Sequence, residues 1–248
     1  MPENDVISRC FVHLMRYPFT RNFYMRKLRF ALATASVVVA SCFASPAFAS
    51  VTAPVSGVEY TTLAAPQAVP AGKKVEVIEF FMYHCPHCNA LEPQMAEWVK
   101  KQGDNIILKR VHCPSSGPND PEAHLYLTLE AMGKLPEFHA KVFRAVHVER
   151  VRLNSDEAVL NWAVKSGLDR AKFLDAWNSF GVKTKMNRLG AMITAYKVEF
   201  APVLVIDGKY MTAPSLVAAS DKTRDEQQLF RSTLQVADFL VAKAAKAK

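Results

Sequence analysis

The chain contains few cysteines. Beyond its first fifty residues it also has no apolar run long enough to cross a membrane and no block of like charges. Five of its 248 residues are cysteine, and Cys10 and Cys42 lie close to the N-terminus. The others, Cys85, Cys88 and Cys113, are odd in number, which excludes a fold held together by several disulfides. About 200 residues bury enough apolar surface to be stable without such staples. Stability therefore does not explain the close pair Cys85 and Cys88.

The charge of the chain does not indicate a nucleic-acid partner. The formal net charge is +8, but residues 1–49 hold six basic and two acidic side chains, so the remainder carries only +4. No basic stripe interleaved with aromatic residues is present, which nucleic-acid binding would favour. We therefore expect no nucleic acid among the partners.

The first 49 residues form the pattern of a presequence with an export signal. Residues 25–29 are positively charged, an apolar run follows over residues 30–40, and residues 47–49 read Ala-Phe-Ala. This order of charged, apolar and small residues predicts a secretory signal at about 25–49, cleaved after Ala49. Counted from Met25 the signal has normal proportions, so Met25 is an alternative start.

Export decides how the remaining cysteines are interpreted. The apolar run of the signal is shorter than the ~20 residues that span a bilayer, so we expect a released periplasmic protein. A lipid anchor on Cys42 is an alternative. In an oxidising compartment, a close pair such as Cys85 and Cys88 that is not needed for stability favours redox chemistry.

Hydrophobic periodicity predicts a strand, a helix and a second strand around this pair. Residues 75–83 form a near-continuous apolar and aromatic run, typical of a strand buried on both faces. The helix that follows has apolar residues three and four apart, and Pro93 within it is expected to kink it. A second strand is predicted over Ile106–His112, which completes a β-α-β unit.

The rest of the chain predicts a helical segment followed by a hairpin and a last helix. Capping residues and glycines separate several amphipathic helices over residues 114–198. Asp207-Gly208 predicts a hairpin turn between two short strands, and a helix from Asp225 to about Ala244 closes the chain.

These elements give a domain organisation and a fold class. Residues 50–74 are expected to run over the surface before the fold begins. Residues 75–113 and 199–248 supply the β-α-β and β-β-α parts of a thioredoxin-like α/β fold, and 114–198 form an inserted helical subdomain.

The pair Cys85-Pro86-His87-Cys88 is placed where a thiolate is stabilised. Cys85 falls at the N-terminus of the predicted helix, where free N–H groups and the helix dipole favour negative charge and lower the pKa of a thiol. Pro86 suits the first helical turn, because its missing N–H costs nothing there. His87 is expected to donate a hydrogen bond or a charge to the same sulfur. We expect Cys85 to be exposed and attacked, and Cys88 to be its buried partner.

A stabilised thiolate also sets the direction of the reaction. It favours the reduced form, so the disulfide between Cys85 and Cys88 becomes a stronger oxidant and Cys85 a better leaving group. The sequence therefore predicts a thiol–disulfide oxidoreductase that donates its disulfide to other proteins and needs no cofactor and no metal.

Several segments resemble the DsbA family, in the order in which that family has them. They are 60–63 (Tyr-Thr-Thr-Leu), 79–88, 175–180 (Asp-Ala-Trp-Asn-Ser-Phe) and 208–210 (Gly-Lys-Tyr). The resemblance covers most of residues 58–240. It implies strong oxidising power, reduced exported proteins as substrates, and re-oxidation by a DsbB-like membrane quinone reductase. We also expect a monomer.

The resemblance assigns roles to three further positions. Pro202, after Ala201, matches a cis-proline that faces the active-site disulfide and offers backbone groups to a bound peptide. Glu79 matches a buried acid that exchanges a proton with the inner cysteine. Arg110, or else Lys109, matches the basic partner of that acid.

Three alternatives stay open. His84, Cys85, His87 and Cys88 are soft ligands within five residues, which suits copper or zinc, although adjacent residues on a bend cannot all face one ion. A disulfide isomerase or a cytochrome-maturation reductase shares the expected fold. Cys113 departs from the two-cysteine pattern and is interpreted as a small buried residue, with a modulatory thiol as the alternative.

Overall fold

The structure is a computed structural model that describes residues 53–248. The signal sequence, the start at Met25, the cleavage site and Cys42 lie outside these residues. Within residues 53–248 no helix is both long and apolar enough to cross a membrane.

The described chain forms five strands and eight helices. The strands are β1 (Tyr60–Thr62), β2 (Val75–Phe81), β3 (Ile106–His112), β4 (Val203–Ile206) and β5 (Tyr210–Thr212). The helices are α1 (Pro86–Gln102), α2 (Pro121–Ala131), α3 (Leu135–His147), α4 (Asp156–Lys165), α5 (Arg170–Trp177), α6 (Phe180–Tyr196), α7 (Pro214–Val217) and α8 (Glu226–Ala245).

The five strands make one mixed sheet in the order β1-β5-β4-β2-β3. The central strand β2 runs parallel to β3 and antiparallel to β4, and all of its residues are buried. This burial on both faces explains its nearly unbroken apolar sequence. The prediction of a thioredoxin-like α/β fold with a helical insertion is confirmed.

Each face of the sheet is covered by its own set of helices. Val75 and Val77 of β2 point to the face on which α1 and α8 pack. Ile78 and Phe80 point to the opposite face, where the helices between β3 and β4 supply the core. Because neighbouring strand residues alternate between faces, Glu79 lies on the side of α1.

Part of the segment expected on the surface belongs to the sheet. Residues 60–62 form β1, which pairs antiparallel with β5, and Tyr60 is buried. The backbone oxygen of Glu59 accepts a hydrogen bond from the Thr212 hydroxyl at 2.8 Å. A strand of three residues has too short a pattern to be predicted when its partner lies about 150 residues away.

The hairpin between β4 and β5 turns at Asp207 and Gly208, as predicted. Both residues have positive φ, 53° and 61°, which is the backbone of a tight hairpin turn. The Gln67 backbone N–H donates to the Gly208 carbonyl at 2.8 Å. A side chain at 208 would overlap the Gln67 carbonyl, so glycine is required there for both its φ and its size.

Candidate active site

The sequence places two cysteines at the junction of the central strand and α1. β2 ends at Phe81, and Cys85 is the N-cap residue of α1, with extended backbone angles. Its Sγ accepts a hydrogen bond from the Cys88 backbone N–H at 3.4 Å. Pro86 occupies the first helical turn, where no N–H is needed. The helix N-terminus therefore directs its free donors at the Cys85 sulfur, as expected.

Both cysteines are free thiols, and Cys85 is more covered than the sequence suggested. Cys88 is 0% exposed, as expected of the inner residue, but Cys85 is only 7% exposed. Cys85 Sγ lies 3.6 Å from the carbonyl oxygen of Ala201, to which it donates when it carries a proton. The expectation of an exposed Cys85 thus needs correction, because the segment before β4 covers the sulfur from a position 116 residues away.

The pKa values of the two thiols are shifted in opposite directions. The pKa of Cys85 is lowered to about 6, first by the hydrogen bond from the Cys88 thiol, against the opposing effect of burial. The backbone N–H groups of Cys88 and His87 and the charge of His87 lower it further. The pKa of Cys88 is raised by the same hydrogen bond, by burial and by the charge on Cys85. One sulfur is therefore held as a thiolate and the other as a thiol.

His87 makes its side-chain contact away from the sulfurs. Its ring is 66% exposed, and its Nδ1 lies 2.5 Å from Glu226 Oε1, at the start of α8. It acts on Cys85 through its backbone N–H and its charge, as just described, and no ring hydrogen bond to the thiolate is formed. Glu226 was not predicted, because a partner 139 residues away leaves no local signal.

The Ala201–Pro202 peptide bond is cis. The two residues border a cavity of about 500 Å³ beside the active-site helix. Its lining is largely apolar and includes the half-exposed ring of Phe200. His87 and Glu226 also line it. The cavity therefore opens directly next to the carbonyl that contacts Cys85.

Behind the cysteines lies a buried ionic cluster. Glu79 is 1% exposed, and its Oε2 accepts a hydrogen bond from Arg110 Nε at 2.8 Å. Arg110 Nη2 also donates to Glu92 Oε1 on α1, at 3.1 Å. Burial raises the pKa of Glu79, opposed by the charge of Arg110 and reinforced by that of Glu92. Lys109, the alternative partner, is next to Arg110 on β3 and so faces the other side of the sheet.

The four soft side chains proposed as an alternative metal site point to different partners. His84 Nδ1 lies 2.7 Å from Glu122 Oε2, while His87 Nδ1 faces Glu226. No group of three or more candidate ligands is arranged to hold a metal ion within residues 53–248. Glu122, like Glu92 and Glu226, was not anticipated from the sequence.

Cys113 follows the last residue of β3 and is 9% exposed. Burial, and then the charge of Cys85, raises the pKa of its thiol to about 12. Its backbone N–H donates to the Phe81 carbonyl at 2.8 Å and so extends the pairing with β2. These features agree with a small buried residue, because such a thiol is protonated and unreactive at neutral pH.

Comparison with known proteins points to a single family. The family model described as a DSBA-like thioredoxin domain matches residues 119–223. A thiol:disulfide interchange protein DsbA from Bordetella parapertussis is 34% identical over 213 residues, 86% of this chain and 97% of the relative. Another from Burkholderia cepacia is 37% identical over 195 residues, 78% of this chain and 87% of the relative. The crystal structure of Pseudomonas aeruginosa DsbA superposes with a TM-score of 0.69 at 32% identity, covering 78% of this chain and 95% of that one.

Proposed function

Since the chain belongs to the DsbA family of thiol:disulfide interchange proteins, we propose that it donates a Cys85–Cys88 disulfide to the cysteines of newly exported proteins. The chain is a thiol–disulfide oxidoreductase, and it is similar to its relatives over nearly their whole length. The proposal concerns which residues carry the reaction and in which direction it runs.

The reaction consists of two exchanges on the Cys85 sulfur. A substrate thiolate attacks Cys85 Sγ, the Cys85–Cys88 bond breaks, and its electron pair leaves with Cys88, which takes up a proton. The second thiolate of the substrate then attacks its own sulfur in the mixed disulfide and expels Cys85 as a thiolate. The substrate is oxidised by two electrons and the enzyme is reduced. Of the two substrate protons, one ends on Cys88 and one in solvent.

This proposal rests on the lowered pKa of Cys85 and the raised pKa of Cys88. A thiolate on Cys85 stabilises the reduced enzyme relative to the disulfide, which makes donation to a client favourable. It also makes Cys85 a good leaving group in the second exchange. Cys88 has the reverse property, because its high pKa makes it hold the proton that it gains.

Glu79 and Arg110 are proposed to manage that proton. Glu79 is buried on the α1 side of the sheet, and its charge contributes to the raised pKa of Cys88. A carboxyl group whose pKa is raised by burial holds a proton more readily than an exposed one, and is therefore better suited to give it to a departing thiolate. Arg110 limits that rise, because its guanidinium favours the carboxylate form.

Ala201 and Pro202 are proposed to receive the substrate. The Ala201 carbonyl already contacts the Cys85 thiol, so a peptide whose sulfur replaces that hydrogen lies against this backbone. An extended peptide can then add main-chain hydrogen bonds to the segment that precedes β4, while the adjoining apolar cavity takes its side chains. This arrangement reads backbone and apolar surface rather than one sequence motif.

Export and re-oxidation complete the proposal. The presequence directs the chain to the periplasm and is cleaved after Ala49, and a DsbB-like membrane quinone reductase restores the disulfide. The protein acts as a monomer. Mass spectrometry of the protein recovered from the periplasm tests the cleavage site directly, because a mature chain that begins before Ser50 contradicts it.

The decisive experiment measures the redox equilibrium of the exported protein in glutathione buffers. A disulfide donor is mostly reduced in mixtures in which ordinary structural disulfides persist. Trapping gives the residue assignment: in Cys88→Ser the Cys85 thiolate is expected to attack a peptide whose single cysteine is supplied as its glutathione disulfide, to expel glutathione and to accumulate as a mixed disulfide with the peptide, whereas Cys85→Ser is expected to form none. A wild-type enzyme that stays oxidised in reducing glutathione mixtures contradicts the donor role and favours an isomerase or reductase.

A further inference from the structure

The ionic cluster behind the active site contains more acidic than basic groups. Glu79 and Glu92 share one guanidinium, that of Arg110, and all three side chains are largely or fully buried. With both carboxyls ionised, the cluster has a net negative charge, which is costly where water is excluded. One further proton in or beside the cluster restores neutrality.

His139 of α3 lies where it can carry that proton. The residue is buried, and its Nε2 lies 3.4 Å from Glu92 Oε2. Among the described residues this nitrogen has no well-aligned hydrogen-bond partner. The ring is therefore close enough to Glu92 to interact electrostatically with the cluster, but it is not fixed to Glu92 by a hydrogen bond.

Tyr83 sets the state of the imidazole. Its hydroxyl lies 3.0 Å from His139 Nδ1, and burial raises the pKa of that hydroxyl well above its usual value, so it stays protonated. When Tyr83 donates its hydrogen to Nδ1, the neutral ring carries its own hydrogen on Nε2, on the side of Glu92. A second proton, on Nδ1, makes the ring a cation, and the Tyr83 oxygen then becomes the acceptor.

We propose that His139 is a positioning residue of the thiol exchange, which shares one proton with Glu79 and so sets how readily Glu79 protonates the departing Cys88. This inference rests on the proposed function. The shared proton sits either on Glu79 beside a neutral His139, or on His139 beside an ionised Glu79. Both arrangements leave the cluster neutral. The two sites are coupled by electrostatic interaction rather than by direct contact.

The proton balance follows from this sharing. When the Cys85–Cys88 bond breaks, the electron pair on Cys88 Sγ takes the proton held by Glu79. The cluster is then one proton short, and it recovers the proton from solvent, into which the substrate thiols release theirs. A positive charge on His139 lowers the proton affinity of Glu79, and loss of that charge raises it.

No other neighbour of His139 supplies the same charge. The titratable groups next to His139 are Tyr83 in the turn after β2, Glu92 on α1 and Tyr126 on α2. Glu79 and Arg110 interact with it through the rest of the cluster. Both tyrosines stay neutral because burial raises their pKa values. His112 of β3 contacts the same rings, and burial lowers its pKa, which keeps it neutral as well.

The test isolates the step in which Cys88 departs. A peptide with a single cysteine is mixed with the oxidised enzyme, and the rate of mixed-disulfide formation is followed by stopped flow from pH 4 to pH 9. His139→Gln removes the ionisable ring and keeps a polar side chain. Arg144→Gln is the matched control: it removes a charge from the same helix, but the Arg144 side chain is exposed and pairs with Glu149 at 3.1 Å, away from the cluster.

We expect the inflection in the rate of His139→Gln to move upward by about one pH unit, because Glu79 then keeps its proton without a competing cation. The profile of Arg144→Gln should overlay the wild type. Ring NMR signals of His139 should also differ between the wild type and Glu79→Gln, because the cluster of Glu79→Gln is neutral without a proton on the ring. This second readout tests the proposal even if His139→Gln does not fold.

An unshifted profile for His139→Gln in an active enzyme overturns the proposal, as do His139 ring signals that are the same in the wild type and in Glu79→Gln. Such results leave the proposed function intact. Failure of the function itself appears differently, as a wild-type enzyme that forms no mixed disulfide at any pH.

Discussion

The acidity of Cys85 predicts how the stability of the reduced enzyme depends on pH. The structure lowers the pKa of this thiol to about 6, whereas a thiol in the unfolded chain titrates near 8.5. Folding therefore favours the thiolate, and the gain is complete only above the unfolded value, where it reaches about 3 kcal/mol. It is lost as the pH falls through the folded value, because both states then bind the proton.

The size of the effect at neutral pH follows from the same two values. At pH 7 about nine-tenths of the folded Cys85 is ionised, against about 3% of an unfolded thiol. The reduced protein thus gains about 1.4 kcal/mol, which corresponds to about 30 mV of redox potential. The oxidised protein gains nothing, since its sulfurs do not titrate. Cys88 does not contribute below pH 8.5, where it is protonated in both states.

Two measurements check this prediction. Thiolate absorbance near 240 nm should titrate at about pH 6 in the reduced protein. Urea unfolding of the reduced and oxidised forms should give a difference in free energy that grows in favour of the reduced form by about 3 kcal/mol between pH 5 and pH 8.5. A midpoint near that of free cysteine, or a stability difference that does not change with pH, refutes the reasoning and the oxidant mechanism with it.

Variants separate the causes of the low pKa. Cys88→Ala removes the largest one, the thiol hydrogen bond, and should raise the Cys85 midpoint more than His87→Ser, which removes only a charge. Cys88→Ser retains an O–H donor and should lie nearer the wild type than Cys88→Ala does. A larger rise in His87→Ser than in Cys88→Ala contradicts the assignment made from the geometry.

Three further predictions concern the turn, the buried acid and the third cysteine. Gly208→Ala forces both a clash and a positive φ on a side chain, and should lower the free energy of unfolding by about 2–4 kcal/mol, while Gly181→Ala, which meets nothing nearby, should not lower it. Urea titrations of the two variants distinguish these outcomes. Glu79→Gln should slow mixed-disulfide formation about tenfold or more, because Cys88 then lacks its proton donor. It should not move the absorbance midpoint of Cys85. Cys113→Ala should leave that midpoint and the oxidation rate unchanged and cost about 1 kcal/mol in unfolding, whereas altered oxidation kinetics indicate a modulatory thiol.

The sequence was most informative where one local pattern determines the structure. β2 and the start of α1 were predictable because seven buried residues, a cysteine N-cap and a proline in the first turn follow one another directly. β1 was not, since its three residues are stabilised by β5 at the far end of the chain. Helix positions in the insertion followed from capping residues and glycines, which act within one turn.

The same limit applies to the site. Cys85, Cys88 and Pro86 were found from their spacing, and Glu79 and Arg110 from resemblance to a family. The carboxylates that complete the site, Glu92, Glu122 and Glu226, had no signal in the sequence. Each acts on a partner at least 18 residues away, and a glutamate on a helix surface is in most cases solvated. The contact between the Ala201 carbonyl and Cys85 also has no local signal, because the two residues are 116 positions apart.

The helical insertion does more than cover one face of the sheet, because it holds the turn that carries the nucleophile. Residues 82–84 lead from β2 to Cys85 and lie outside both strand and helix. The Tyr83 carbonyl accepts from His147 Nε2 on α3, and its N–H donates to His112 Nε2 on β3 at 3.0 Å. The next N–H, that of His84, donates to Glu122 Oε2 on α2 at 3.3 Å.

These polar groups would otherwise be satisfied by water, and the turn would then be free to move. Since the Cys85 thiolate depends on the alignment of N–H groups at the start of α1, displacement of Tyr83 changes the geometry on which its acidity rests. Opening of the insertion, even without unfolding of the sheet, should therefore raise the pKa of Cys85. In this fold the redox chemistry of the sheet domain thus depends on side chains supplied by the insertion.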